Sequence, residues 1–423
     1  MNRRELLKIS AGAFATTALS STRLFAGPND YTGDFVLQVQ VGGAWDVSSF
    51  CDPKTNDAGI VVNNWAETKS VQQAGNIRYA PFANNEKLFE AHYDKMLVIN
   101  GVNSFTNGHS AGRQYNFTGS TQAGYPALSA AFAATKQAEF PMPCIMNGGQ
   151  FHSGNIIVPT RVGSDINTFN TLLEPNSMFN KGLISAEDET LITQYRRERT
   201  ARMLNKEKVL SQRKLLEDFL AANKDYPNFA EFKVVLESVD YGDFDMSSSF
   251  LKQILYAMVA FKSGLSVAAD TSLKRFDTHS NHDEEQAEEI TGLNEGLLFM
   301  WYLAEQLDLE DRLTVFVASD FGRTPYYNTG GGKDHWPIGS TLIMKNGVSW
   351  TNRVVGETDA GQKAFKINPS TLAVDDTNGI VLEPKHVMAF ARRITGIHNE
   401  PILSSFNLRV DGEYIDFSGG SFG

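Results

Sequence analysis

The sequence predicts an α/β protein, with Leu313–Ala318 suited to a strand buried on both faces. Three observations carry this. Phe35–Val41 alternates toward a strand, Met96–Val102 and Leu313–Ala318 are apolar runs of strand length, and each leads into a glycine or acidic turn. Between them lie segments with helical periodicity, above all Ile290, Leu293, Leu297, Met300 or Trp301, Ala304 and Leu307. Acidic and histidine residues gather just after the apolar runs, where open α/β sheets place their ligands.

Taken in order, the first 26 residues are unlike the rest. Asn2-Arg3-Arg4-Glu5-Leu6-Leu7-Lys8 precedes a short, mildly apolar run, and Leu24-Phe25-Ala26 offers a small residue for cleavage. This is the pattern of an export signal, too short for a stable membrane anchor. The paired arginines resemble the twin-arginine signal, which exports folded proteins to the periplasm or beyond. Removing it leaves residues 27–423 as one domain, more acidic than the −11 of the full chain, which argues against nucleic-acid binding. Two cysteines, Cys51 and Cys144, allow one disulfide at most.

Phe35–Val41 runs into Gly42-Gly43-Ala44-Trp45-Asp46, a way to present a carboxylate at a sheet edge, although a turn aspartate satisfied by its own backbone fits as well. Residues 51–85 are polar and asparagine-rich and read as a surface loop. Met96–Val102 leads through a glycine loop into His109-Ser110-Ala111-Gly112-Arg113, where a nucleophile, an anion site or a helix cap by Ser110 is expected. Ala127–Gln137 is helical, and Cys144–Gly149 and Asn155–Pro159 read as short strands or connections. Residues 180–265 form a helical insertion or lid, opened by a capping box at Ser185 and alternating in charge. Leu265–Ala269 reads as a strand before the Phe276 segment, Ser340–Met344 as another, and His386–Thr395 as a helix.

Five of the eight histidines (His109, His152, His279, His282 and His335) lie in or beside Gly- or Asp-rich turns. With Asp277, Asp320 and Asp334 they supply the nitrogen and oxygen donors that zinc, manganese and iron accept. The alternative is that Asp320 and Asp334 cap turns while His279 and His335 are structural.

The motifs GGAWD, HSAGRQYNFTG, FDTHSNH, SDFGR and KDHW, in that order behind a twin-arginine signal, resemble the exported proteins called domain of unknown function 1501. That family belongs to the alkaline phosphatase–sulfatase superfamily. The resemblance implies a three-layer sandwich, with a mostly parallel central sheet flanked by helices and metal ligands on loops at one sheet edge. It also implies a divalent metal, zinc first, with manganese, calcium or magnesium as alternatives. Asp46, His109, Asp277, His279, His282, Asp320, Asp334 and His335 are the metal candidates, and Ser110 and Arg113 the catalytic ones. His109 occupies the nucleophile position, and Phe321 stands where the pattern has a histidine. These departures suggest that Asp46, His109 and Asp320 share one metal, with hydrolysis through metal-bound hydroxide and Arg113 gripping a tetrahedral anion. The implied function is a metal-dependent hydrolase of small phosphate or sulfate esters, or a non-catalytic exported protein that binds a partner protein.

Overall fold

The computed structural model describes residues 31–57, 59–137, 139–165, 185–209, 212, 213, 216, 220, 227–408, 410 and 414–420. The export-signal reading falls outside these residues. Phe35–Val41 (β1) is buried at every position, so neither face can meet water, and it becomes a central strand. A hairpin of Gln72–Ala74 (β2) and Ile77–Tyr79 (β3) follows, then helix α1 (Asn85–His92), strand β4 (Met96–Asn103), and helices α2 (His109–Thr118) and α3 (Leu128–Lys136). Short strands β5 (Cys144–Met146) and β6 (Thr160–Arg161) precede α4 (Ala186–Lys206), α5 (Pro227–Ser238) and α6 (Ser249–Lys262). The chain continues through β7 (Ala268–Leu273), α7 (His282–Gln306), β8 (Leu313–Ser319), β9 (Gly322–Arg323), β10 (His335–Trp336), β11 (Ile338–Lys345), β12 (Arg353–Val355) and α8 (Pro384–Ile394).

Eight strands form the main sheet in the order β12-β4-β11-β8-β1-β7-β5-β6. β11 runs antiparallel to both neighbours, and the other pairings are parallel. The register sets Val39 beside Thr271 on one side and Val317 on the other. Helices α6 and α7 pack on each other, with α1 and α5 beside them, while α2, α3 and α8 form a second group against β8, β1 and β7. The predicted mostly parallel sheet between helices is therefore the observed fold. α7 buries Ile290, Leu293, Leu297, Met300 and Ala304 at spacings of three and four, each large side chain worth about 1.5–3 kcal/mol. Its first turn carries Asp283, Glu284 and Glu285, which favour the positive end of the helix dipole.

Three expectations shift. The strand read at 265–269 lies at Ala268–Leu273, because Asp270, Thr271 and Ser272 are buried despite their polarity. Residues 51–85 are not simply a surface excursion: Val62, Asn63, Trp65 and Asn85 are buried. Asn85 can be buried because its amide donates to the Ser49 and Ala80 carbonyls, and Asn63 donates to Lys54 O. Within 155–159 no strand forms; the short pairing is at Thr160–Arg161. In the proposed insertion, Ser185 caps α4 by accepting from Asp188 N, and α4 is largely exposed, whereas α6 is buried against β7. Cys51 and Cys144 are both buried and unpaired. No helix among the described residues is long and apolar enough to cross a membrane.

Candidate metal centre

The parallel strands end at one edge of the sheet, and antiparallel β11 begins there. The turns after β1, β4, β7 and β8 and the ribbon before β11 are thus gathered in one place. Two glycines permit the approach. At Gly43 (φ +115°) a Cβ would strike the Phe276–Asp277 backbone, and at Gly112 it would strike Asp320 O, so α2 lies directly on the turn after β8.

His109, Asp277 and His335 each place a ligand atom within 4.8 Å of the others. Around Asp277 the distances are 3.4 Å from His109 Nε2 to Oδ2, and 3.1 Å from both His279 Nε2 and His335 Nε2 to Oδ1. His279 Nε2 and His335 Nε2 are 3.0 Å apart. The opposite nitrogen of each ring is already engaged by an acceptor. His109 Nδ1 meets Asp320 Oδ2 at 2.6 Å, His279 Nδ1 meets Asp334 Oδ1 at 2.9 Å, and His335 Nδ1 meets the Asn107 carbonyl at 2.8 Å. A carbonyl can only accept, and carboxylates accept when ionised, so in neutral rings the protons sit on Nδ1. Three Nε2 lone pairs therefore converge on one carboxylate with no proton between them. That donor set suits a divalent metal of the zinc or manganese kind, with the Nδ1 acceptors fixing each tautomer. His109 Nε2 is also buried without a hydrogen-bond partner, as is Asp320 Oδ1.

Burial opposes ionisation of Asp277, but the Arg323 guanidinium, donating to it from the buried side, holds its carboxyl down at about 2. Asp320, fully buried, is pushed up by that burial against the pull of Arg113 and the His109 bond, and it also accepts from Gly43 N at 3.1 Å. The bond from His279, with help from Asn328, lowers Asp334. Asp320 and Asp334 thus orient histidines. Phe321 is buried, with its ring 5.0 Å from His109 and 4.8 Å from His335, and forms a wall behind the imidazoles.

Asp46 and His282 do not join this cluster. Asp46 is fully buried, and its carboxylate takes Lys333 Nζ at 2.7 Å, His282 Nε2 at 3.0 Å, Ser48 N at 3.0 Å and Ser48 Oγ at 2.6 Å. Burial works against it, yet Lys333 and His282 hold the Asp46 carboxyl well below the usual range. His282 is pushed down by burial and carries the opposite tautomer. Its Nδ1 lies 2.7 Å from Thr278 Oγ1, which itself accepts from Gln286, so Nε2 bears the proton given to Asp46. Both ring nitrogens are spent. The sharing of a metal by Asp46, His109 and Asp320 is therefore not the observed grouping: His109 and Asp320 meet, and Asp46 pairs with lysine.

Arg113, on α2, holds Nε 3.7 Å from Asp320 Oδ1. Ser110 is exposed on the first turn of α2, and its hydroxyl bonds no described residue; the N-cap is Gly108. Sequence reasoning missed Arg323 and Lys333, both fully buried within the SDFGR and KDHW motifs. The available signal was a basic residue inside each acidic or histidine-rich motif.

Residues 36–384 match the family described as "Protein of unknown function (DUF1501)". No curated protein matches the chain. Among solved structures, one from Bacteroides thetaiotaomicron, described under the metabolism of multiple glycosaminoglycans, is 11% identical, with a TM-score of 0.36 over 91% of this chain and 77% of that one. A protein in the alkaline phosphatase superfamily from Vibrio parahaemolyticus is 9% identical, with a TM-score of 0.31 over 84% and 72%. A TAB5 alkaline phosphatase mutant with bound Mg is 9% identical, with a TM-score of 0.28 over 76% and 91%.

Proposed function

We propose that the chain, which belongs to the DUF1501 family, holds one divalent metal, zinc first, and hydrolyses a small phosphate or sulfate ester outside the cytoplasm. The observation that carries this is the convergence of His109, His279 and His335 Nε2 on the Asp277 carboxylate. A divalent metal supplies a Lewis acid that lowers the pKa of water and polarises an ester oxygen.

The protein side of the chemistry follows from its own groups. Asp320, Asp334 and Asn107 O keep the protons on Nδ1 of the three rings, so Nε2 stays available. Arg323 fixes Asp277 from the buried side. Arg113 can turn its fork of N–H donors toward a tetrahedral anion, since its contact with Asp320 is long. The part-exposed side chains of Asp277 and His279 leave the cluster open to a substrate. The Arg3-Arg4 pair in the N-terminal segment supports export by the twin-arginine route.

Metal analysis of the purified protein is expected to give about one equivalent, lost in both His335→Ala and His109→Ala. A panel of aryl phosphates, phosphodiesters and sulfates is expected to show turnover that falls with the metal. A native protein that takes up neither zinc nor manganese sinks the reading. Metal without turnover across the panel supports a binding role toward an exported partner instead.

A further inference from the structure

The resemblance would make Asp46, the aspartate that follows the first strand, a metal ligand, and the residues around it do not fit a cation. Lys333 Nζ donates to Asp46 Oδ2 at 2.7 Å, Asn63 Oδ1 at 2.8 Å and Ser48 Oγ at 3.2 Å, which uses all three of its N–H bonds. Each Asp46 oxygen is taken as well, Oδ1 by Ser48 N and Oγ, and Oδ2 by Lys333, His282 and Ser49. Lys333 and Asp46 are both fully buried, and the Tyr327 ring lies 5.2 Å from Nζ.

We infer that the Lys333 ammonium is a built-in replacement for a second metal ion, so that this sheet edge takes one divalent cation and not two. Charge supports the count. Asp46, Asp277, Asp320 and Asp334 contribute four carboxylates, and Lys333, Arg323 and Arg113 three fixed cations in contact with them. One divalent ion overshoots neutrality by a single charge, whereas two would leave three positive charges packed around buried groups. An ammonium cannot exchange with solvent or be chelated, so the Asp46 half of the edge stays assembled whether or not the exposed half is loaded. Lys333 also ties the halves together: its backbone N–H donates to Thr278 O, and its carbonyl accepts from Arg323 Nη1 at 3.0 Å.

This deepens the metal reading of the same edge, and its test separates the two. Zinc content is measured by mass spectrometry for the native protein, Asp46→Asn, Lys333→Ala and the Asp46→Asn/Lys333→Ala double variant, each equilibrated with millimolar zinc. Asp46→Asn is expected to keep the native count. Lys333→Ala is expected to gain one equivalent that the double variant lacks, and to gain thermal stability from zinc beyond that seen in the native protein. Loss of metal in Asp46→Asn overturns the inference. So does a Lys333→Ala protein that folds yet binds no more zinc than native, or one that stays unfolded in zinc. If the native protein binds none, the proposed function fails, but a gain of one in Lys333→Ala still stands.

Discussion

Replacing Arg323 by lysine keeps the charge and removes the fork, which makes it a direct test of how the edge is held. Arg323 is fully buried and donates from Nε to Ala44 O at 2.8 Å, from Nη1 to Lys333 O at 3.0 Å, and from Nη2 to Phe276 O at 2.8 Å, to Asp277 Oδ1 at 2.6 Å and to Gly43 O. These five acceptors belong to three separate chain segments, after β1, after β7 and before β10. A lysine ammonium has three N–H bonds on one atom, so at least two acceptors lose their partner. At about 1–3 kcal/mol for each buried group left unsatisfied, Arg323→Lys is expected to cost about 2–6 kcal/mol. With a urea slope of about 3 kcal/mol per M, the unfolding midpoint falls by about 0.7–2 M. Because Arg323 acts through Asp277, zinc affinity measured by competition with a chelator should also fall, by about 10–100-fold. A variant with both the native urea midpoint and the native zinc affinity would falsify the idea that this guanidinium assembles the site.

Other outcomes follow from buried groups elsewhere. Asp270 on β7 is fully buried, accepting from Gln38, from Gln40 at 3.3 Å and from Ser129 at 2.7 Å, and burial pushes its carboxyl up to about 7 from 3.8. A raised folded pKa stabilises fully below pH ~4 and loses that contribution as pH climbs to ~7, a span worth about 4 kcal/mol. Asp270→Asn has the same shape and does not ionise, and its amide oxygen can still accept from Gln38 and Gln40. Its stability relative to native should therefore rise by that amount between pH 4 and 7; a difference that is flat across this range refutes the assignment. Burial raises the Cys51 and Cys144 thiols, and both are free, so a thiol reagent should find none in the folded protein and two after denaturation. Finding fewer than two in the denatured, unreduced protein would mean that they pair. Exchanging Arg3 and Arg4 for lysine should hold the precursor in the cytoplasm, seen by fractionation, and continued export would remove the twin-arginine assignment.

What could be read in the sequence follows which interactions are local. β8 and α7 were legible because apolar period alone decides burial there, and β1 because its five apolar residues outweigh Gln38 and Gln40, which are buried as well. β7 was misplaced because Asp270, Thr271 and Ser272 look like turn residues. The burial of Asp270 depends on Gln38 and Gln40 from a strand more than two hundred residues away and on Ser129, while Thr271 donates to the Gln38 carbonyl and Ser272 N to Gln253. The buried asparagines of 51–85 misled for the same reason, since their partners are backbone carbonyls that no composition reveals.

At the site, the residue types were legible and their division of labour was not. A histidine is a ligand or a structural donor according to which ring nitrogen is engaged, and that is a tertiary fact. His109, His279 and His335 lose Nδ1 to an acceptor and keep Nε2, whereas His282 meets a hydroxyl at Nδ1 and gives its Nε2 proton to Asp46. The same logic separates the aspartates. Asp277 meets Arg323 on its buried side and three ring nitrogens on its open side, while Asp46 is closed in on every side by Lys333, His282 and the serines. Lys333 and His335 are two positions apart in KDHW, so one short motif closes the Asp46 half of the edge and sets an imidazole against Asp277 in the open half. The proposed function therefore rests on the solvent-facing half alone, where the side chains of Asp277 and His279 are part-exposed.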